Sequence, residues 1–106
     1  MLALALLTAA AVNAAPSMAM DPAQRDSQCL VAIEAERGLG PLAAPARDYF
    51  EQGLKAGRDP ELVELLTIQA EETILPNRNR RPIAETCLVL YQVLRLQDKA
   101  RDGGER

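Results

Sequence analysis

The stretch Pro82-Ile83-Ala84-Glu85-Thr86-Cys87-Leu88-Val89-Leu90-Tyr91-Gln92-Val93-Leu94-Arg95-Leu96 decides the fold. At about 100° per residue, Ile83, Cys87, Leu90, Tyr91 and Leu94 fall on one side of a helix, the spacing of a face packed on a core. Val89, Val93 and Leu96 form a second apolar strip roughly 120° or more around the same cylinder. A helix apolar on two sides requires either deep burial or a second protein, so burial and a homodimer both stand as readings of this strip. The helix opens near Pro82 and extends to about Arg101, and residues 102–106 read as a disordered polar tail.

Working back from that helix, Pro76-Asn77-Arg78-Asn79-Arg80-Arg81-Pro82 sets three arginines and two asparagines between prolines in an otherwise acidic chain. Arginine's planar fork and asparagine's paired donor and acceptor suit an acidic or polar protein surface, and the prolines limit the entropy lost on docking. Asn77, Arg78, Asn79, Arg80 and Arg81 are therefore the candidate partner-binding residues. The plainer reading is a soluble inter-helix loop whose arginines lie near an acidic third helix.

Asp59-Pro60-Glu61 starts that third helix with a capping carboxylate, a proline at the first position and an acid where the helix dipole favours one. Its expected core stripe is Leu62, Leu65, Leu66, Ala70, Thr73 and Ile74, and Pro76 stops it. Ahead of it, Pro45 opens a second helix with Ala46, Tyr49, Phe50 and Leu54 inward, ending at Gly57. Gly53 within it is costly unless another helix approaches closely there. The first helix is expected to start from an Asp26 or Ser27 cap, carry Cys29, Leu30 and Ile33 on one face, and stop at Gly38. No stretch alternates with the period of a strand. The expected fold is an all-α, small four-helix domain.

Leu2–Val12 is an apolar or small run of about eleven residues, fitting a signal-peptide core and well short of the roughly 20 residues that span a bilayer. Small residues favour cleavage after Ala14 or Ala15, although only the terminal amine supplies positive charge ahead of the run. The alternative is a buried N-terminal core helix. The resulting division is a signal peptide over 1–15, a flexible leader over 16–25, a helical domain over 26–101 and the tail, with periplasmic localisation. Export makes a disulfide the default for an even cysteine count, and two cysteines allow only Cys29–Cys87. Such a staple gives on the order of 4 kcal/mol in the chain-entropy model.

Composition narrows the functions. The 106 residues include no histidine and no tryptophan, and carry a formal net charge of -3. Lacking histidine, the chain loses the commonest general base, the histidine-activated nucleophiles and most zinc sites. Glu71 and Glu72 point about 100° apart on a helix, and Glu61 with Glu64 are explained as first-turn acids. No calcium loop is present. The mild acidity disfavours nucleic acid as a partner. Neither catalysis, metal nor cofactor is expected, nor contact with a membrane after signal cleavage.

Cys87-Leu88-x-x-Tyr91, followed by Leu96 and Asp98, resembles the terminal helix of periplasmic immunity proteins that neutralise type VI secretion amidase effectors. Gln28-Cys29-Leu30, with Ala32 and Ala35, is similar to that family's first-helix cysteine region. The two patches cover about a quarter of the chain. The resemblance implies an all-helical, often dimeric protein that plugs the catalytic groove of a papain-like peptidoglycan amidase, its cognate partner, and protects its producer. The inserting element is then the arginine loop or the acidic face of the third helix. The alternative function is a periplasmic acid-stress chaperone of the small helical disulfide-bonded type, opened when its carboxylates protonate.

Overall fold

The computed structural model describes residues 15–104. Four helices and no strand occur among them: α1 (Pro22–Ala35), α2 (Ala43–Lys55), α3 (Pro60–Ile74) and α4 (Arg80–Gly104). The expected signal segment, apart from Ala15, and the last two residues of the tail lie outside the described residues.

The first helix begins upstream of its expected cap. Asp21 Oδ2 accepts from the backbone N–H groups of Ala23 and Gln24 at 3.1 and 3.3 Å, and Pro22 takes the first helical position. This is the same aspartate-proline device that starts α3, where Asp59 Oδ1 accepts from Glu61 N at 3.2 Å. Asp26 and Ser27 are thus interior helical residues, and Pro22–Arg25 belong to the domain instead of a flexible leader. Ser27 Oγ donates to the Gln24 carbonyl at 2.9 Å. The helix also stops short of Gly38: Glu36 is already extended, and Gly38 takes a positive φ of 71° in the connection beyond it.

Every residue from Asp26 to Ile33 is buried, because α1 is the central helix and α2, α3 and α4 each pack against it. Ala46, Phe50 and Leu54 of α2 and Ala70 and Ile74 of α3 close the core from two sides. The third side is α4, whose Ile83, Cys87, Leu90, Tyr91 and Leu94 are all buried, the face expected of them. Cys29 and Cys87 are bonded, with Cα atoms 5.4 Å apart and neither residue accessible to solvent. The staple fastens the central helix to the last one.

Two expectations of burial are corrected. In α3 the inward line is Val63, Leu66, Ala70 and Ile74, while Leu62, Leu65 and Thr73 are exposed together with Ile68. A helix at the edge of the bundle buries one narrow stripe, and the stripe facing α1 is rotated from the one the leucines suggest. The last helix also continues through Asp102 to Gly104, so those residues are helical and not a loose tail.

Gly53 sits where α2 crosses α1. A Cβ placed there would lie 2.6 Å from Asp26 Oδ2, so the glycine allows a close approach as its position in the helix suggested.

Candidate functional site

The connection between α3 and α4 holds the arginine-rich segment, and local hydrogen bonds give it a fixed shape. Asn77 N donates to the Ile74 carbonyl at 3.0 Å, Asn77 Oδ1 accepts from Asn79 N at 2.8 Å, and the Asn79 carbonyl accepts from Ile83 N at 3.0 Å. An asparagine side chain bonding two residues ahead in this way makes a turn. The turn passes directly into the first helical residues, Arg80 and Arg81.

Arg80 and Arg81 point their guanidinium groups back into the protein. Arg80 donates to the Leu75 carbonyl at the end of α3 and lies 3.6 Å from Glu36, just beyond α1. Arg81 donates to the carbonyls of Arg37 and Gly38 at 2.7 and 3.1 Å, and pairs with Glu85 at 3.7 Å. These contacts join three chain segments at one pole of the bundle. They also satisfy carbonyls left open where α1 ends early.

The structure therefore separates the five candidate residues. Arg78 is exposed, and its guanidinium makes no hydrogen bond or ion pair with any of the described residues. Asn79 is exposed beside it, and Asn77 is half-buried and holds the turn. Arg80 and Arg81 act as braces, their charges partly offset by Glu36 and Glu85. One free cation on a preshaped turn, next to exposed Leu75, can meet a carboxylate or a carbonyl on another protein's surface. It offers too little charge to hold a phosphate backbone.

A second surface was not anticipated. Leu62, Leu65 and Ile68 form an outward apolar ridge on α3. Glu61, Glu64 and Glu72 border it, and α3 itself contains no basic residue. The signal was present in the excess of apolar residues over what one stripe can hold.

Beneath the surface, α1, α2 and α4 share a polar seam. Asp26, 5% exposed, pairs with Arg25 at 3.0 Å. Burial raises its carboxyl pKa above the ordinary value, and the Arg25 guanidinium only partly offsets this. Arg58 donates to the carbonyls of Gly53 and Leu54 at 2.8 and 2.9 Å, fastening the end of α2. Tyr49 donates its hydroxyl to Asp98 at 2.8 Å, and burial together with that carboxylate raises its pKa to about 12. Its ring packs edge-on against Phe50 and Tyr91 at 5.6 and 5.4 Å. The groups are satisfied by one another and line no enclosed chamber, which suits a structural role.

No group of three histidine, cysteine or carboxylate side chains able to hold a metal occurs among the described residues. No protein-family model, no curated protein and no solved structure matches the chain.

Proposed function

We propose that this chain is an immunity-type binding protein, which occludes a secreted peptidoglycan amidase and carries out no chemistry of its own. The supporting observation is the division of labour at the α3–α4 turn: Arg80 and Arg81 hold the turn from behind, and Arg78 is left free in front. A contact element that is already ordered loses little entropy on docking, which is what a tight stoichiometric inhibitor needs. The disulfide between α1 and α4 serves the same end by limiting how far the frame can yield. The resemblance of the two cysteine-bearing helices to amidase immunity proteins supplies the partner class, and an acidic or carbonyl-rich groove rim is the surface that Arg78 fits.

The test is hydrolysis of purified muropeptides by the Cys-His amidase encoded beside this chain. Under this reading hydrolysis stops at about one equivalent of the disulfide-intact protein and continues undiminished with an unrelated helical protein of similar charge. Unchanged hydrolysis in a large excess of the protein would overturn it.

The acid-chaperone alternative receives no such support. It requires protonation to open the fold, whereas protonation of Asp26 favours the folded form, since the raised pKa means the neutral acid is the better-tolerated species at that position.

A further inference from the structure

The second apolar strip of α4 remains uncovered. Val89, Val93 and Leu96 are 58%, 38% and 67% exposed, on a helix of 25 residues, about 37 Å long. The strip extends in both directions at a regular interval. Pro82, Thr86, Val89, Val93, Leu96 and Ala100 follow one another in alternating steps of four and three, the repeat of a helix-pairing seam. Along one side of this seam Glu85, Gln92 and Lys99 recur every seven residues. The other side carries Leu90 and Gln97, with no charge.

We infer that this face pairs with the same face of a second copy of the chain, with the two α4 helices antiparallel. The argument is charge complementarity. When two copies of the strip are laid antiparallel around Gln92, Val93 of one meets Val89 of the other, Thr86 meets Leu96 and Pro82 meets Ala100. The flanking row then faces its own copy in reverse: Glu85 lies opposite the second copy's Lys99 at both ends, with Gln92 opposite Gln92 in the middle. A parallel arrangement sets the same row against the uncharged Leu90–Gln97 side and makes no such pair. The antiparallel pairing is two-fold symmetric and self-complementary, as a closed dimer requires.

The charges are suitably available. Lys99 and Arg95 have no carboxylate within ion-pair distance among the described residues. Both line an open groove of about 390 Å³ between α4 and Leu42, on the same side of the seam. The second copy's Glu85 arrives on that side. The interface lies apart from the Arg78 turn, and antiparallel pairing carries one such turn to each end of the paired helices. The inference does not depend on the amidase reading.

Sedimentation equilibrium of the disulfide-intact full chain tests it, with charge-swapped variants setting the orientation. The unmodified chain should be a reversible dimer. Glu85→Lys and Lys99→Glu each place like charges at both ends, so each alone should weaken self-association by about tenfold. Mixing the two variants should restore dimers that contain one of each, and the double variant should again pair with itself. Val93→Glu should abolish pairing with its far-ultraviolet circular dichroism unchanged. A chain that is monomeric at every concentration overturns the proposal, whatever else covers the strip. A dimer indifferent to both swaps overturns it as well, because the copies then meet elsewhere or in another orientation.

Discussion

At Gly53, one hydrogen in place of a methyl group sets how closely α2 approaches α1. By helix propensity alone, alanine is favoured there by up to about 1 kcal/mol. The contact with Asp26 Oδ2 reverses the sign, because that carboxylate is buried and held by Arg25 and has little room to retreat. Gly53→Ala should therefore destabilise the protein by about 1–3 kcal/mol in urea unfolding; a stabilised variant would show that the approach is looser than described. Asp26 itself carries a pH signature. Its folded pKa lies above the unfolded value near 3.8, so its contribution is greatest below that value and is lost as pH rises through the folded pKa. Acidifying from neutral towards pH 4 should thus raise the stability of the wild type relative to Asp26→Asn, whose side chain does not titrate. A difference between the two proteins that stays flat across that range would contradict this account of Asp26.

The four elements differ in how plainly the sequence announces them, and the differences have physical causes. The inward face of α4 is legible because Ile83, Cys87, Leu90, Tyr91 and Leu94 keep a single helical spacing, and all of them are buried. The start of α3 is equally plain at Asp59-Pro60. Asp21-Pro22 carries the same signature, yet the turn after it, from Ala23 to Arg25, has no apolar period to mark it as helix, and Asp26-Ser27 lies closer to the apolar run. In α3 two apolar stripes overlap, and local sequence does not show which of them meets α1. One helix provides the comparison. Ile74→Ala removes a side chain 1% exposed and should cost about 2–5 kcal/mol, whereas Leu65→Ala, at a position 58% exposed, should stay within about 0.5 kcal/mol of wild type. Thermal or urea unfolding of the pair checks the orientation of α3, and a costly Leu65→Ala would reverse it. The arginine turn was legible as a polar connection but not in its division of roles, because Arg81 bonds carbonyls 43 and 44 residues away in sequence.

For the molecule as a whole, the staple carries a large share of the stability. Cys29 and Cys87 are 58 residues apart in sequence, and cross-linking them removes on the order of 4 kcal/mol of chain entropy from the unfolded state. A domain of this size has a total stability of about 5–15 kcal/mol, so Cys29→Ser with Cys87→Ser should lower the melting temperature steeply. A double variant that melts with the wild type would mean that the core suffices without the bond. The architecture explains how a chain with few aromatic residues and no histidine can still be a rigid surface. One central helix is covered on three sides and tied to the longest of its neighbours, and braces at one pole hold a turn ready for contact. That readiness is the central claim. It is tested most directly by calorimetric titration of the neighbouring Cys-His amidase with the wild type and with Arg78→Glu. The account expects saturable binding by the wild type at one protomer per amidase. It expects Arg78→Glu to bind more than about tenfold more weakly, with its melting temperature within about a degree of wild type. Binding that Arg78→Glu leaves as tight as before, or no binding by either protein, would contradict it.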